Sequence, residues 1–333
     1  MLTRRNLAGL AGKTLLAGGM ALSRPFIARA AERKSLIVAE PVHSTGYLPL
    51  YVALRKGYFA AEGLDLRILT VESGSSHTNA VLSGQAFAFI GGPEHDAFAK
   101  LKGAELRSVV NVVDRGNVYL VARPGVFADA SDMARTLKGK AVAGGFYGGT
   151  PNSITRYLCA KAGLSPTEDV RIIETTAAGA LAAMKTGQVQ FATVAEPQVT
   201  QGIRAGIWQE PFYNVPQLMG PYAYSTLNVR KDSIDREPIV VAGFVRAMMQ
   251  GLKTTYNDPA EATSIARLEF PTMPADDLRA TIDRSFADAI WSKTGLVSEA
   301  AWTTAKDVVM AAGVLKSDVD YAAIVDMSFV KSD

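Results

Sequence analysis

Short apolar runs alternate with amphipathic segments along most of the chain. Residues 35–40 read as a strand, and residues 47–61 have an apolar helical face formed by Leu50, Tyr51, Leu54 and Tyr58. The same two patterns continue, with strands predicted at 64–71, 86–91 and 106–113 and helices at 76–83 and 93–100. This order predicts a mostly parallel sheet with helices on both faces.

A second series of the same kind begins after residue 117. The predicted strands are 118–123, 140–144, 170–174, 190–194 and 222–229, and the predicted helices between them are 151–162, 178–186 and 197–205. The remainder reads as helices 238–256, 259–268, 274–287 and 298–312. We therefore predict an α/β protein of two lobes with a hinge between them and a helical C-terminal tail.

The two lobes are expected to be joined by extended crossovers near residues 114–117 and 218–225. Residues 31–115 together with 225–333 would form lobe 1, including the C-terminal helices, and residues 116–224 would form lobe 2. Lobe 1 is then discontinuous in sequence. Such an arrangement predicts that the lobes close on a ligand by hinge rotation.

The composition excludes several classes of protein. The chain is 48% hydrophobic, which argues against disorder, and its charges are spread along its length, which argues against a polytopic membrane protein. Cys159 is the only cysteine, so disulfide scaffolds and thiolate metal sites are excluded. A net charge of +3 is too small and too scattered for nucleic-acid binding. We expect a monomer that binds no nucleic acid.

Residues 1–30 have the features of an export signal. They contain Arg4, Arg5 and three further basic residues but no acidic ones, whereas the remainder holds 30 basic and 32 acidic side chains. A weakly apolar, glycine-rich run follows the arginine pair and leads to Ala28-Arg29-Ala30. This pattern predicts a twin-arginine signal peptide cleaved after Ala30, and hence a periplasmic protein.

Candidate binding residues follow the strands, because ligands of open α/β sheets lie beyond the carboxyl ends of the strands. Loops rich in glycine and hydroxyl groups open helices there, and backbone N–H groups at a helix start can bind an anion. Ordinary helix capping is the alternative for each loop. The residues singled out on this basis are His43, Ser44, Thr45, Tyr47, Ser73, Ser75, Ser76, Gly92, Asp114, Arg115, Tyr147, Gly148, Gly149, Thr150, Glu196 and Tyr222.

Other chemistry finds less support in the sequence. His43, His77 and His95 all follow strands, but their spacing does not place two metal ligands on one helix face. The chain has no phosphate-binding Gly-x-x-x-x-Gly-Lys-Ser/Thr, no Gly-x-Gly-x-x-Gly and no Gly-x-Ser-x-Gly elbow. Carboxylates such as Glu72 and Glu94 have a second interpretation as caps or rim residues. We therefore predict no catalysis, no metal and no cofactor.

Three segments resemble a known family. Residues 46–66, which run from Gly46-Tyr-Leu-Pro-Leu-Tyr to Glu-Gly-Leu-Asp-Leu66, resemble the opening helix of the sulfonate, taurine and thiamine-precursor group of periplasmic solute-binding proteins (NMT1/THI5-like). Leu82-Ser-Gly-Gln-Ala-Phe-Ala88 is similar to a second segment of that family, with Ala86-Phe87 in place of the usual Asp-Phe. Residues 185–197, ending in Glu-Pro, resemble the counterpart in the second lobe.

The resemblance implies a two-lobed periplasmic binding protein of type II that delivers a solute to an ABC importer permease. The family's ligand loops correspond here to residues 44–47, 73–76, 92, 114–115, 148–150 and 196. The implied solute is a small organic anion or heterocycle, such as a sulfonate, a carboxylate or a pyrimidine. Two alternatives stay open: an enzyme of the pyrimidine-precursor or menaquinone-pathway type, and a sensory binding module without transport.

Overall fold

The structure of the protein is a computed structural model that describes residues 33–71 and 75–331. The predicted signal peptide, residues 1–30, and the predicted ligand residue Ser73 lie outside the described residues. The strands are β1 Lys34–Glu40, β2 Leu64–Thr70, β3 Ala88–Gly91, β4 Leu106–Val113, β5 Tyr119–Ala122, β6 Ala141–Ala143, β7 Arg171–Ile173, β8 Phe191–Val194, β9 Tyr213–Asn214 and β10 Ser225–Arg230.

The helices cover most of the remaining described chain. They are α1 Leu48–Arg55, α2 Tyr58–Ala61, α3 Ser76–Leu82, α4 Glu94–Lys100, α5 Met133–Leu137, α6 Thr150–Lys161, α7 Ala177–Lys185, α8 Gln198–Arg204, α9 Val215–Leu218, α10 Lys231–Arg236, α11 Pro238–Asn257, α12 Pro259–Glu269, α13 Ala275–Ala287 and α14 Glu299–Ala311. Short 3₁₀ helices occur at Thr45–Tyr47 and Tyr321–Ala323.

The strands form two five-stranded sheets. The first has the order β2-β1-β3-β10-β4, and the second has the order β7-β6-β8-β5-β9. β10 runs antiparallel to β3 and β4, and β5 runs antiparallel to β8 and β9, while the other pairings are parallel. We call each sheet with its covering helices a lobe. The predicted α/β class with two lobes is confirmed.

One predicted helix is divided in two. Residues 47–61 form a 3₁₀ turn, α1 and α2, because Gly57 adopts a left-handed φ of +72° between the two helices. Only glycine takes this conformation readily, so a single continuous helix over 47–61 was wrong. The apolar side chains expected on its inner face, such as Leu50 and Tyr51, are buried.

The first lobe has the larger apolar core. Helices α1 and α11 pack together against the sheet, and residues such as Phe244 and Met248 on α11 are fully buried. Gly251 allows the close approach of the two helices, since a Cβ there would meet the Pro49 carbonyl oxygen and the Ala53 side chain. The long C-terminal helix α11 is thereby tied to the first sheet.

The last helix of the predicted C-terminal tail, α14, does not pack in the same place as α11. Trp302 on α14 lies in one buried cluster with Ile154 of α6 and Tyr222, so this helix covers elements of the second lobe as well as α4. The tail therefore does not pack on the first sheet alone. Within residues 33–71 and 75–331, no helix combines the length and apolarity needed to cross a membrane.

Candidate functional site

The carboxyl ends of the parallel strands in both lobes meet between the sheets. In the first lobe the residues after β1, β3 and β4 lie at the edge where β10 begins, as the pairing of Gly91 with Thr226 and of Val113 with Ser225 shows. In the second lobe the loop after β6 leads into α6. Thr150 Oγ1, at the start of α6, donates a 2.7 Å hydrogen bond to Glu94 Oε1 of the first lobe. The two strand-end regions are thus in direct contact.

Glu94 is the central residue of this contact. Its side chain is fully buried at the first position of α4, and its Oε2 atom has no hydrogen-bond partner. A Cβ on Gly92 would collide with the carboxyl group, so glycine at this position makes room for it. Burial raises the pKa of Glu94 to about 7, although the hydrogen bond from Thr150 opposes the shift.

Several other buried polar atoms in this region also lack partners. We call Thr45, His77, Thr78, Glu94, Asn117 and Tyr222 the cleft cluster. The atoms concerned are Thr45 Oγ1, both ring nitrogens of His77, Thr78 Oγ1, Glu94 Oε2, Asn117 Oδ1 and the Tyr222 hydroxyl. Native proteins pair the great majority of such atoms, so a group of them between two lobes indicates a place for polar ligand atoms.

Three glycines show which loops lie against members of the cleft cluster. A Cβ on Gly46, beside Thr45, would lie 2.6 Å from Nδ2 of Asn117. A Cβ on Gly116 would lie 3.0 Å from the Tyr222 ring, and one on Gly91 would lie 2.9 Å from His77 Nε2. The loops after β1, β3 and β4 therefore contribute to one compact region.

Three buried tyrosines lie near the carboxyl group, and two uncharged imidazoles pack against Phe89 of β3. Burial raises the pKa of Tyr47, Tyr222 and Tyr224, and the nearby Glu94 raises each further. Burial lowers the pKa of His95 to about 4 and that of His77 well below its usual value, so both rings are uncharged. The rings of His77 and His95 are 4.6 Å apart in an edge-on arrangement.

The predicted residues His43 and Ser44 make their contacts within the first lobe. His43 Nδ1 lies 2.9 Å from Glu40 Oε1, and its ring stands between Tyr51 and Phe270. The hydrogen bond to Glu40 raises the pKa of His43. Ser44 caps the following 3₁₀ turn by accepting a hydrogen bond from the Gly46 amide. Its neighbours Thr45 and Tyr47 are buried toward the cleft cluster.

Asp114 and Arg115 lie in the crossover between the lobes and are both half-buried. Asn111 Nδ2 donates a 2.7 Å hydrogen bond to Asp114 Oδ1. Burial raises the pKa of Asp114 to about 6, while the bond from Asn111 and the charge of Arg115 oppose the shift. Both residues also act on the pKa of Tyr256, which places them beside the C-terminal helices.

Glu196 has protein partners for both carboxylate oxygens. Oε1 accepts hydrogen bonds from Thr200 and from Arg284 Nε at 2.8 Å, and Oε2 accepts from the Thr200 amide and Thr281. Thr281 and Arg284 belong to α13, so the predicted ligand residue Glu196 joins α8 of the second lobe to that helix.

The remaining predicted residues divide between buried and exposed positions. Tyr147 is 49% exposed and lies beside Arg156, whose guanidinium is 5.0 Å from the ring centroid. Gly148 has a left-handed φ of +82°, Gly149 caps α6, and Thr150 is buried. Ser75 is exposed and makes no side-chain cap to α3, and Ser76 is half-buried. Gly92 and Tyr222 are buried at the cleft cluster.

The predicted ligand residues do not include His77, Thr78, Glu94 or Asn117, although His77 and Glu94 were candidates for other chemistry. The useful signal was the sequence Gly91-Gly92-Pro93-Glu94, since two small residues at a strand end leave space for the side chain of Glu94 to fold back over them. In the described part of the chain, no three His, Cys, Asp or Glu side chains form a possible metal site.

Two open hollows lie on the second lobe, away from the cleft cluster. One, of about 360 Å³, is lined by residues including Met133, Tyr157 and Tyr213. The other, of about 610 Å³, is lined by residues including Arg123, Arg135 and Lys140. Neither hollow contains a member of the cleft cluster. The buried polar atoms therefore remain the better guide to the site.

The sequence profile of the family described as NMT1/THI5 like matches residues 44–262, which is more than half of the chain. The protein belongs to this family. YtlA of Bacillus subtilis (strain 168), whose name marks it as a candidate binding protein, is 25% identical over 293 residues, covering 87% of this chain and 86% of YtlA. The riboflavin-binding protein RibY of Chloroflexus aurantiacus is 27% identical over 316 residues, covering 85% and 82% of the two chains.

Solved structures agree on the fold. The alkanesulfonate-binding protein SsuA of Xanthomonas axonopodis pv. citri, bound to MOPS, matches with a TM-score of 0.72 at 18% identity, covering 90% of this chain and 100% of that one. The NMT1/THI5-like protein therefore has the two-lobed type II fold of periplasmic binding proteins. A 4-amino-5-hydroxymethyl-2-methylpyrimidine phosphate synthase of Uromyces fabae matches over 104 residues at 34% identity, which is 30% of this chain and 29% of the synthase.

Proposed function

We propose that this protein is the extracytoplasmic solute-binding component of an ABC importer. It captures a small organic solute between its lobes and presents it to the permease. The observation that carries the proposal is the cleft cluster, whose buried polar atoms lack partners at the contact between the lobes. Leaving a buried polar atom unpaired costs about 1–3 kcal/mol, and a polar solute would remove that cost for several atoms at once.

The relatives support binding as the common role. SsuA and RibY are named for the compounds that they bind, and the relatives that match over most of the chain are binding proteins rather than enzymes. The proposed division of the chain is that of the sequence analysis, with residues 31–115 and 225–333 as lobe 1 and 116–224 as lobe 2. The crossovers would act as the hinge when the lobes open to admit the solute.

An enzyme of the pyrimidine-precursor type is the second candidate, because the partial match to the synthase favours it. That match covers less than a third of either chain, whereas the binding-protein relatives cover most of it. His77 has no hydrogen-bonded carboxylate that would orient it as a general base, and its pKa is lowered by burial. Binding without turnover is therefore the better supported function.

Solute binding is tested with the small molecules of a cell extract. The protein comprising residues 31–333 is mixed with a low-molecular-mass cell extract and separated by gel filtration, and the retained compounds are identified by mass spectrometry. We expect one compound to be retained at an equimolar ratio and to keep its mass during prolonged incubation. A catalytically altered compound would make the enzyme the leading candidate.

A pair of matched variants controls for unspecific retention. Thr45→Trp places an indole in the cleft cluster, whereas Thr272→Trp makes the same change at an exposed position. We expect only Thr45→Trp to abolish retention, and thermal melting checks that both variants are folded. Equal retention by the two variants, or no retention by the unaltered protein, would contradict the proposed function.

Export by the twin-arginine route is a separate prediction. Replacing Arg4 and Arg5 together with lysine is expected to leave the precursor inside the cell, because that route requires the arginine pair. Arg24→Lys, a single change in the same segment, is the control and should be exported normally. Cell fractionation shows the location, and an intact mass that still includes residues 1–30 in the exported protein would refute cleavage after Ala30.

A further inference from the structure

Glu94 sets the charge of the cleft cluster. It is the one carboxyl group among the six members, it is fully buried, and only its Oε1 atom is bonded, to Thr150. Its Oε2 atom lies within the cluster without a partner. When it is ionised, a buried carboxylate with a free oxygen needs a hydrogen-bond donor, and no hydrogen bond from the described residues reaches Oε2.

Among the residues that the structure describes, no positive charge compensates that of Glu94. The ionisable groups that interact with it are the hydroxyls of Tyr47, Tyr222 and Tyr224 and the carboxyl of Asp96. No lysine or arginine of the described residues contributes to the pKa of Glu94. Residues 72–74, outside the described part, are Glu-Ser-Gly and therefore add no basic side chain.

Two arginines on elements that join the lobes have other partners. Arg284 pairs with Glu196 and Glu210, and Arg115 lies beside Asp114 and Tyr256. An anion in the cleft cluster would therefore meet the ionised form of Glu94 without a neutralising cation from the described residues. Coulomb repulsion and the loss of hydration both oppose that arrangement in a buried site. This argues against the anionic head group that the loop composition had suggested.

We propose that the solute presents an N–H donor to Oε2 of Glu94, as an uncharged or cationic nitrogen group of the amino-heterocycle, imide or amidine type. This inference rests on the proposed function and names its class of solute. The N–H forms a hydrogen bond to a carboxylate, which is stronger than a bond between neutral groups. With a pKa near 7, the carboxyl group is ready to ionise when such a donor arrives.

The other members of the cleft cluster are consistent with a flat, nitrogen-containing solute. Asn117 Oδ1 is a second free acceptor, and the hydroxyls of Thr45 and Tyr222 can either donate or accept. The neutral ring of His77 offers one donor and one acceptor nitrogen. The rings of Tyr222 and Tyr224, 5.8 Å apart, supply apolar surface nearby. The free atoms thus favour a solute whose edge carries N–H donors.

The inference is tested with two sets of probes. Riboflavin, benzamidine and 4-aminopyrimidine carry N–H donors, whereas benzoate, benzenesulfonate and nitrate are anions without them. Calorimetry at neutral pH compares the protein comprising residues 31–333 with Glu94→Gln and Asp96→Asn. Asp96 is the matched control: it is equally buried two residues further on and also has one oxygen, Oδ1, without a partner, but its other oxygen is bonded to Ser108 of β4 rather than to a residue of the second lobe.

We expect at least one donor probe to bind, and its affinity to fall by about tenfold or more in Glu94→Gln while Asp96→Asn retains it. The anions should not bind the unaltered protein. Binding of the anions alone, or an affinity for donor probes that Glu94→Gln leaves unchanged, would overturn the inference.

The extract experiment separates this inference from the proposed function. A solute that is retained from the extract, contains an N–H donor and is lost by Glu94→Gln supports the inference even if none of the six probes binds. A retained solute without such a donor, or one that Glu94→Gln still retains, refutes the inference and leaves the proposed function intact. Retention of no solute at all refutes both.

Discussion

Trp291→Ala is expected to lower the free energy of unfolding by about 3–5 kcal/mol, the usual effect of truncating a buried tryptophan. Trp291 is 1% exposed, and its ring packs edge-on against Phe286 with centroids 5.0 Å apart. Its Nε1 atom donates a 2.9 Å hydrogen bond to the Gly46 carbonyl oxygen. The residue therefore connects the segment after α13 to the loop that carries Thr45, and its loss affects both the core and the cleft cluster.

Two further variants separate the contributions of Trp291. Trp291→Phe keeps most of the ring but leaves the Gly46 carbonyl oxygen unpaired, so a loss of about 1–3 kcal/mol is expected. Ile239→Ala removes an apolar side chain that is 82% exposed, and its effect should stay within about 0.5 kcal/mol. Urea unfolding followed by circular dichroism gives all three values. An equal, small loss for Trp291→Ala and Ile239→Ala would contradict the packing described here.

The secondary structure was largely predictable from the sequence because the hydrophobic periodicity is clear. Strand 106–113 was predicted to the residue, and helices such as α11 and α14 were predicted to within one residue at each end. The elements without a prediction are short: α5, β9, α9 and α10 have two to six residues each. Segments of this length hold too few apolar positions to show a period, and tertiary contacts determine their conformation.

Only the location of the candidate site was predictable from the sequence. The rule that ligands lie beyond the carboxyl ends of strands led to the loops that carry the cleft cluster, and it selected Thr45, Tyr47, Thr150 and Tyr222 there. It could not show which side chains have free polar atoms, because that depends on partners distant in sequence. Glu196 is the clear example, since its oxygens are occupied by Arg284 and Thr281, more than 80 residues away.

The charge of the candidate site also could not be predicted without the structure. The sequence shows glycine and hydroxyl groups at helix starts, a composition typical of anion sites. It does not show that Glu94 is buried near these loops without a cation from the described residues, because an acidic residue at the first position of a helix is common on protein surfaces. The burial of Glu94, rather than the residue types of the loops, changes the expected ligand from an anion to a hydrogen-bond donor.

A buried carboxyl group kept free for a solute should reduce the stability of the ligand-free protein at high pH. The pKa of Glu94 is about 7 in the fold, compared with 4.5 for the unperturbed group. Between these two pH values the folded protein holds one more proton than the unfolded chain, so its stability falls as the pH rises through this window. A pKa shift of this size lowers the free energy of unfolding by about 3 kcal/mol at pH values above the window.

Glu94→Gln is therefore expected to stabilise the ligand-free protein by about 2–3 kcal/mol more at about pH 8 than at about pH 5, because glutamine has no proton to lose. The pKa of Asp96 is raised by burial and further by the charge of Glu94. Removing that charge makes ionised Asp96 less unfavourable, which also increases the stability at high pH. Urea unfolding at both pH values measures the difference, with Glu168→Gln as the control at an exposed position. Glu94→Gln could instead show the same small change as Glu168→Gln at both pH values. That result would mean that the Glu94 carboxyl group is hydrated in the ligand-free protein and is not a strongly buried acceptor. If the gain appears only at the higher pH, the protein retains at Glu94 a group that weakens its fold, as expected of a residue kept for binding.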